Sequence, residues 1–318
     1  MSAPAKKNVR VAAAVITRPD GSFLLGQRCA ETFYPGYWEF PGGKVEAGET
    51  PRQALIRELQ EELDLETDEA WPWLTREHDY EHAHVKLYFF EVPAWHGELR
   101  DRVHSALSWE MPGQVQVGPM LPANGPILKA LALPRQMGIT QAHAVGVAPQ
   151  LAQLDGALAR GLKLVQIREA ALPADARESF AQQVVERCHT HGALALVNGD
   201  AALARQIGAD GLHLPAAQLA TCSTRPDFEW VGAACHTRAE LEHAARLGLD
   251  YALLGHVLPT PSHPDEPALG WDEFSARVAE LSIPVLALGG LGPDAMATAR
   301  AAGAHGIAAI RGIWTLAG

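Results

Sequence analysis

The stretch from Gly43 to Leu65 reads GKVEAGETPRQALIRELQEELDL. Thr50 followed by Pro51 predicts the start of a helix, because a hydroxyl side chain caps the first turn and proline fits its first position. Gln53 is placed to close a capping box with the threonine. Leucines recur every fourth residue along the helix that follows, and they predict its buried face.

The same helix carries Glu58, Glu61 and Glu62 at positions i, i+3 and i+4, so three carboxylates share one face. Such crowding is unfavourable unless a cation neutralises it. Mg²⁺ prefers oxygen ligands and accompanies phosphate-bearing substrates. A solvated acidic face is the ordinary explanation of a charge run. The preceding loop, PGGKVEAGET at residues 41–50, favours the metal site instead.

The whole segment resembles the Nudix box, G-x5-E-x7-R-E-U-x-E-E-x-G-U, in which U is a bulky aliphatic residue. Every position fits except the last glycine, where this chain has Asp64. That glycine usually ends the helix in a left-handed turn, a conformation that aspartate tolerates better than most residues. The departure therefore concerns helix capping rather than chemistry.

Length and composition restrict the class of protein. The 318 residues are too many for one small core and predict two domains. The net charge of −11 argues against a nucleic-acid polymer as partner. Four cysteines without CxxC spacing indicate neither a disulfide framework nor a zinc site. The first apolar run is too short for a signal peptide or membrane span, so we expect a cytoplasmic protein with no membrane partner.

Residues 1–134 are expected to form the first domain, an α/β/α sandwich with a mixed sheet. Its predicted strands are Val9–Ile16, Phe23–Gln27, Trp38–Phe40, Val85–Val92 and Leu107–Trp109, and its predicted helices are Pro51–Leu65 and Pro126–Leu133.

Outside the box, further segments narrow the resemblance to MutT-type enzymes. They are LLGQR at 24–28, WEFPGGKVE at 38–46, Trp109 after the last strand and LPANGPI at 121–127. MutT-type enzymes hydrolyse 8-oxo-dGTP to its monophosphate and so cleanse the nucleotide pool of mutagenic precursors. The resemblance implies this activity and a small nucleoside triphosphate as substrate.

The MutT resemblance also implies three substrate-binding residues. Asn124 corresponds to an asparagine that contacts the edge of the oxidised purine, Phe40 to a residue of the base pocket, and Arg28 to an arginine near the phosphates. An amide can donate and accept at once, which suits a base that presents both functions. Taken singly, each residue has an ordinary explanation: a core phenylalanine, a surface cation and a turn residue.

The Nudix resemblance implies a set of ligands for Mg²⁺, with Mn²⁺ as an alternative ion. They are the Gly43 carbonyl and the carboxylates of Glu58, Glu61 and Glu62. The resemblance favours Glu58 as general base, with Glu49 and Glu62 as alternatives. Arg57 is expected to pair with a box carboxylate and brace it.

One metal-binding position of MutT-type enzymes is different here. They carry a further carboxylate six residues before the tryptophan, and this chain has Val103 there. Asp101 and Glu110 are the nearby carboxylates that could replace it.

Residues 137–318 alternate apolar strands with helices, and eight such strands predict a TIM (β/α)8 barrel. The predicted strands are Gly138–Val145, Leu164–Arg168, Ala193–Asn198, Gly211–Leu214, Trp230–Ala233, Tyr251–Leu254, Val285–Leu288 and Gly306–Ile310.

Segments such as KLVQIRE, GADGLHL, LLGHVLPTPSHP and VLALGGL make this second domain resemble thiamine phosphate synthase and its TenI-like relatives. Gly289 and Gly290 after strand seven, with Ile310, Arg311 and Gly312 after strand eight, stand where such barrels bind phosphate. The resemblance implies a phosphorylated thiazole or thiamine-like ligand.

Synthase chemistry is not expected, because this chain departs from the family at five positions, including both metal carboxylates that would handle a pyrophosphate leaving group. The family's lysine, its two metal-binding acids, a second lysine and the serine of its phosphate loop are replaced by Ala170, Gly199, Gln218, His263 and Arg311. His236 aligns with the histidine that TenI-type thiazole tautomerases use for proton transfer. A histidine kept for structure is an equal alternative.

Three functions remain open from the sequence. The first is hydrolysis of 8-oxo-dGTP with a degenerate barrel attached. The second is hydrolysis of pyrophosphorylated thiamine precursors, which the fused barrel suggests. The third is a sensor or tautomerase module, in which the barrel binds a thiazole or thiamine phosphate.

Overall fold

The computed structural model describes residues 6–81, 83–261 and 266–314. The chain forms two compact units. The first contains the residues up to Leu133 together with Ala279–Ser282, and the second contains Pro134–Val278 and the residues from Ile283 onward. The part of the chain that is described contains no helix long and apolar enough to span a bilayer.

The described residues of the first unit contain seven strands, which form two sheets. They are β1 (Lys7–Ile16), β2 (Phe23–Arg28), β3 (Trp38–Glu39), β4 (Gly42–Lys44), β5 (Trp71–Asp79), β6 (Ala83–Val92) and β7 (His104–Glu110). One sheet has the order β4-β1-β6-β5 and is mixed, with β1 parallel to β6 and antiparallel to β4. The other is antiparallel, with the order β3-β2-β7.

The sequence predicted one mixed sheet and missed β4 and β5. β4 is built from glycines, and Gly42 has a φ of +142° that other residues rarely adopt. β5 contains Pro72 and several charged residues, and it is held by its pairing with β6. Pairing with distant neighbours, which local propensity does not report, decides both strands.

The box helix α1 (Pro51–Leu63) begins at the predicted residue and ends two residues before the predicted Leu65. Thr50 and Gln53 form the reciprocal capping box, and Pro51 occupies the first turn. Asp64 ends the helix in the left-handed conformation, with φ 61° and ψ 28°. The buried leucine face of α1 packs on the sheet that contains β1.

A short helical turn at Pro122–Asn124 leads directly into α2 (Gly125–Ala132). The segment before this turn is joined to β3. The Trp38 amide donates to the Pro119 carbonyl, and the Leu121 amide donates to the Trp38 carbonyl. The turn that carries Asn124 is thereby fixed beside the strand that precedes Phe40.

The second unit is a closed barrel of eight parallel strands. They are β8 (Gln136–Ile139), β9 (Leu164–Ile167), β10 (Leu194–Asn198), β11 (Gly211–Leu214), β12 (Trp230–Cys235), β13 (Tyr251–Gly255), β14 (Val285–Leu288) and β15 (Gly306–Ala309). The helices outside the strands are α3 (Ala142–Val145), α4 (Val147–Ala159), α5 (Ala174–Thr190), α6 (Ala201–Gln206), α7 (Ala216–Thr221), α8 (Arg238–Arg246), α9 (Gly270–Val278) and α10 (Met296–Ala301).

The first predicted barrel strand, Gly138–Val145, was wrong in its second half. The strand ends at Ile139, and Ala142–Val145 is the short helix α3. The reason lies in the next strand–helix loop. The buried Glu169 carboxylate accepts hydrogen bonds from the backbone amides of Ala142 and His143, and so satisfies the first turn of this helix.

Candidate functional site

Arg57 stands at the centre of the box residues on α1. Its guanidinium lies 2.9 Å from Glu49, 2.9 Å from Glu58 and 3.3 Å from Glu61. It also donates a 3.1 Å hydrogen bond to the Lys44 carbonyl oxygen. One planar cation therefore ties the loop before the helix to the carboxylates on it.

These contacts shift the pKa values of the partners in opposite directions. Hydrogen bonding from Arg57 and from the Glu46 amide holds the pKa of Glu49 below its usual value. The bond to Glu49 and, after the opposing effect of burial, the bond to Glu58 raise the pKa of Arg57. Glu49 and Arg57 are thus a stable ion pair near neutral pH.

Glu58 lies against the backbone of Gly43. A Cβ atom placed on this glycine would be only 2.2 Å from the Glu58 carboxyl carbon. A side chain at position 43 would therefore displace the carboxylate. The structure brings together the glycine and the glutamate that the sequence proposed as metal ligands.

Glu62 differs from Glu58 because its carboxylate has no hydrogen bond or ion pair among the described residues. Burial, followed by the charges of Glu58, Glu39, Asp101 and Glu61, raises the pKa of Glu62 to about 8. A carboxylate in this position gains from a nearby cation, because the cation would offset both the lost hydration and the like charges.

Nowhere in residues 6–81, 83–261 and 266–314 do three histidine, cysteine or acidic side chains already converge as a metal-ligand set. Arg57 draws Glu58 and Glu61 toward itself instead. The donors nevertheless fit Mg²⁺ in kind: they are oxygens only, and Glu62 has no partner that must be displaced.

Asp101 and Glu110, the two carboxylates considered as replacements for the one absent at Val103, have different surroundings. Glu110 is buried, and its oxygens accept short bonds from the Ser108 hydroxyl and the Gln116 amide. Both oxygens of Glu110 are therefore already used in hydrogen bonds to residues near it in the chain. Asp101 is close enough to Glu62 for its charge to raise the pKa of that carboxyl.

The three predicted substrate residues have different surroundings. Arg28 pairs with both oxygens of Glu39, at 2.6 and 2.7 Å, and donates to the Phe33 carbonyl oxygen. Phe40 is buried, with its ring 5.7 Å from that of Phe23. Arg28 is thus engaged within its own sheet, and Phe40 belongs to the core.

Asn124 is only 2% exposed, and its side-chain nitrogen Nδ2 has no hydrogen-bond partner among the described residues. An orphaned buried donor is costly and uncommon in folded proteins. It marks the position as one where a ligand acceptor would restore a hydrogen bond.

The mouth of the barrel contains a cavity of about 630 Å³. All the barrel residues proposed from the sequence line it: His236, Gly289, Gly290, Ile310, Arg311 and Gly312. Arg168, His143 and His256 line it as well and were missed. Arg168 and Arg311 make no ion pair with any described residue, and Glu266 is the single carboxylate among the described lining residues, so the wall is cationic.

His143 and His236, two histidines of the cavity wall, differ in how firmly their side chains are held. The His143 ring nitrogen Nδ1 lies 2.9 Å from the fully buried Glu169 carboxylate, which fixes its orientation. The side chain of His236 is exposed, and its backbone amide is held by Glu240. The partner of His143 lies 26 residues away in sequence, and for this reason no local motif indicated the pair.

The glycine pair after β14 has a packing role. A Cβ on Gly289 would lie 2.3 Å from that of His256, and one on Gly290 would lie 2.7 Å from the Pro259 carbonyl oxygen. Both residues also have positive φ angles. The close approach of the neighbouring loop by itself requires glycine here.

The positions of the two missing synthase carboxylates are joined to each other. The Gln218 side chain donates a 2.8 Å hydrogen bond to the Gly199 carbonyl oxygen. Ala170, at the place of the family lysine, is exposed and carries no polar group. His263, at the other lysine position, lies outside the described residues.

Comparison with known families agrees with both halves of this description. Residues 7–131 match the NUDIX domain model, and residues 137–313 match the model of the thiamine monophosphate synthase family. The chain belongs to the thiamine monophosphate synthase family through its barrel and carries a Nudix domain in front of it.

Three relatives illustrate the two halves. The chain is 41% identical over 124 residues to CTP pyrophosphohydrolase of Escherichia coli K12. This match covers 39% of this chain and 91% of that protein. It is also 41% identical over 97 residues to 8-oxo-dGTP diphosphatase of Proteus vulgaris. That match covers 30% of this chain and 87% of that protein. It is 39% identical over 165 residues to the thiamine biosynthesis bifunctional protein ThiM/ThiE of Symbiobacterium thermophilum, covering 50% of this chain and only 34% of that protein.

Proposed function

We propose that the Nudix domain is a Mg²⁺-dependent pyrophosphohydrolase that converts 8-oxo-dGTP to 8-oxo-dGMP and pyrophosphate, and so removes an oxidised nucleotide before it enters DNA. The homology to Nudix hydrolases supports the reaction type. The choice of substrate is supported by the buried amide of Asn124.

Asn124 carries the substrate proposal because its free Nδ2 requires an acceptor. Guanine offers the O6 oxygen. In 8-oxoguanine N7, which lies beside O6, bears a hydrogen. N7 can therefore donate a hydrogen bond to the amide oxygen of the asparagine. Unoxidised guanine has an acceptor at N7 and would face the amide oxygen with a second acceptor. One asparagine can therefore favour the oxidised base.

In the proposed mechanism, Gly43, Glu58, Glu61 and Glu62 would hold the ion. When bound, Mg²⁺ neutralises the phosphates and lowers the pKa of a water molecule. Glu58 accepts the proton that water loses as its oxygen bonds to phosphorus. The bridge between the α- and β-phosphates breaks, which yields 8-oxo-dGMP and pyrophosphate. Arg57 fixes the orientation of Glu58 through their 2.9 Å ion pair.

Two other classes of substrate are alternatives to 8-oxo-dGTP. A pyrimidine substrate is suggested by the CTP pyrophosphohydrolase relative, and pyrophosphorylated thiamine precursors are suggested by the attached barrel. Neither explains the orphaned Asn124 donor as directly as an oxidised purine does.

For the barrel, we infer binding of a phosphorylated small molecule without synthase activity. The cationic cavity supports an anionic ligand. The Gln218–Gly199 hydrogen bond and the exposed Ala170 stand where a synthase needs metal carboxylates and a cation. The tautomerase alternative, with His236 as the acid–base group, has the cavity in its favour but shows no side chain that orients His236.

The deciding experiment is a substrate panel with the full-length protein and Mg²⁺: 8-oxo-dGTP, dGTP, CTP, thiamine diphosphate and a pyrophosphorylated thiamine precursor. Release of pyrophosphate and phosphate is measured. We expect the highest kcat/KM for 8-oxo-dGTP, with pyrophosphate as product. Glu58→Gln should lower kcat by several orders of magnitude, whereas the matched control Glu66→Gln should not. Full activity in EDTA, or faster turnover of thiamine diphosphate, would reject the proposal.

A further inference from the structure

The chain departs from the Nudix and MutT patterns at Asp64 and at Val103, and an ion pair joins Asp64 to the loop that ends at Val103. The Asp64 carboxylate at the end of α1 lies 3.1 Å from Nη2 of Arg102, the residue directly before Val103. It also lies 4.0 Å from Nη1 of Arg100. A glycine at position 64 would form neither contact.

Backbone hydrogen bonds attach the same loop to the last turn of α1. The Arg100 amide donates to the Leu63 carbonyl oxygen, and the Arg102 amide donates to the Glu62 carbonyl oxygen, each at 3.0 Å. Asp101 lies between these two bonds. The loop therefore follows the end of α1 closely at the residue that carries the unpaired Glu62 carboxylate.

The Asp101 side chain is fixed in one orientation. Its Oδ1 accepts from the amides of Val103 and His104, at 3.3 and 2.9 Å, and lies 3.1 Å from the His104 ring nitrogen. The ring itself is only 5% exposed. The other oxygen, Oδ2, makes no hydrogen bond with any described residue and remains available as a ligand.

Stability alone does not explain an aspartate at position 64. The residue has a φ of 61°, where glycine is the favoured residue. Arg102 is more than half exposed, and ion pairs at such exposure contribute little to folding. The chain thus has a side chain at a position where the backbone prefers none. Besides a 3.3 Å hydrogen bond from Gln60, its contacts are with the loop, which indicates a role through that loop.

We propose that Asp64 is a positioning residue: its ion pair with Arg102 holds the Arg100–Val103 loop on the end of α1, so that Asp101 supplies the metal carboxylate that Val103 cannot. This inference rests on the proposed metal dependence of the Nudix domain. It identifies one of the two candidate replacements, and it explains why both departures occur in the same chain.

The test uses Mn²⁺ as a spectroscopic probe and the full-length protein without nucleotide. Binding of Mn²⁺ is measured by electron paramagnetic resonance, and the melting temperature is measured in EDTA. Asp64→Gly should weaken Mn²⁺ binding about three- to tenfold, a smaller effect than the tenfold or more usual for groups that orient metal ligands, because the ion pair is exposed. Its melting temperature should stay the same or rise, because glycine suits the left-handed turn.

A double-mutant cycle separates positioning from direct binding. Asp101→Asn should weaken Mn²⁺ binding more than Asp64→Gly, and Asp64→Gly should have no further effect in the Asp101→Asn background. Asp64→Glu should recover part of the affinity. The control is Glu98→Gln, which removes another carboxylate that pairs with Arg100 and should leave the affinity unchanged.

The outcomes are distinct. If the parent protein binds no Mn²⁺, the proposed metal-dependent function fails and the inference fails with it. If the parent binds Mn²⁺ and the Asp64 variant binds equally well, only the inference is rejected. It is also rejected if the melting temperature falls together with the affinity, or if the two substitutions act additively.

Discussion

The guanidinium of Arg57 lies 2.9 Å from the carboxylate of Glu58, its neighbour in the chain. The same guanidinium also holds Glu49, in the loop before the helix, and the Lys44 carbonyl oxygen. The orientation of the proposed general base is thus coupled to the glycine-rich loop through one planar group. Nη1 of Arg57 contacts Glu58, whereas Nη2 contacts Glu49 and Lys44; a lysine has all its donors on one nitrogen and lacks this planar fork.

The first prediction is therefore that Arg57→Lys lowers kcat/KM about 10- to 100-fold, the range observed when a group that orients a catalytic ligand is lost. The control is Arg52→Lys on the same helix, since Arg52 contacts only the backbone carbonyls of Asp68 and Ala70 in the described structure. Steady-state kinetics with saturating Mg²⁺ provide the measurement. Equal activity of Arg57→Lys and the parent would show that the fork is unnecessary.

The second prediction concerns the choice of nucleotide. Asn124→Ala should reduce the ratio of kcat/KM for 8-oxo-dGTP over dGTP by the equivalent of about 1–3 kcal/mol, because the paired hydrogen bonds to the oxidised base are lost. The free energy of unfolding should not fall in proportion, since the substitution also removes a buried donor that has no partner. Asn8→Ala, on the first strand, is the control. A ratio near one in the parent protein would instead favour thiamine precursors as substrates.

The third prediction uses the pKa of Glu62, which is raised to about 8 from 4.5. Between these values the unfolded chain loses the proton while the folded, metal-free protein keeps it. The contribution of Glu62 to the free energy of unfolding must then decrease as the pH rises through this window and level off above it. Glu62→Gln should remove this decrease.

Urea unfolding in EDTA between pH 5 and 9 measures the effect. The control is Glu66→Gln, just beyond the helix, because Glu66 is exposed and is not among the charges that raise the pKa of Glu62. Its profile should follow that of the parent. Parallel profiles for the parent and Glu62→Gln would contradict the prediction, and added Mg²⁺ should stabilise the parent more than this variant.

Features with local causes were predictable from the sequence. The capping box at Thr50 and the left-handed Asp64 depend on residues within one turn, and both are present. The end of β8 and the helix α3 were not predictable, because the carboxylate that stabilises the turn comes from Glu169. The contact between the His143 ring and the Glu169 carboxylate was not predictable for the same reason, because the two residues are far apart in sequence.

The candidate site shows the same division. Spacing alone placed Arg57 and Glu58 on adjacent positions of a helix, and their ion pair follows from this proximity. The ion pair of Arg28 with Glu39 depends on the pairing of β2 with β3, and no local pattern indicated it. Cross-strand partners are set by register, which a motif does not encode.

The fourth prediction is that the barrel forms no detectable thiamine phosphate from the two synthase substrates with Mg²⁺. The Gln218 amide and the Gly199 carbonyl are bonded to each other at the positions where the family has metal carboxylates. Gly199 also has a φ of +75°, so a side chain there would be strained. The assay monitors product by chromatography, with a functional synthase as positive control. Formation of product above the uncatalysed background would contradict the prediction.

The last prediction is that the barrel mouth nevertheless binds a phosphate group, and that Arg311 contributes to the binding. Arg311 lines the cavity, and its guanidinium has no partner among the described residues; a charge-assisted hydrogen bond to phosphate would give it one. Gly290→Val is a poor probe, because the close Pro259 carbonyl would disturb the fold itself. Arg311→Gln avoids this contact.

The probe is inorganic phosphate, titrated calorimetrically into the full-length protein in EDTA, so that the Nudix site holds no metal. Arg311→Gln should raise the dissociation constant about tenfold, which corresponds to roughly 1.4 kcal/mol and is typical of one hydrogen bond to a charged group. The matched control is Arg246→Gln, an exposed arginine on α8 that does not line the cavity. Equal weakening in both variants would indicate general electrostatics, and no phosphate binding by the parent would leave the cavity without its proposed ligand.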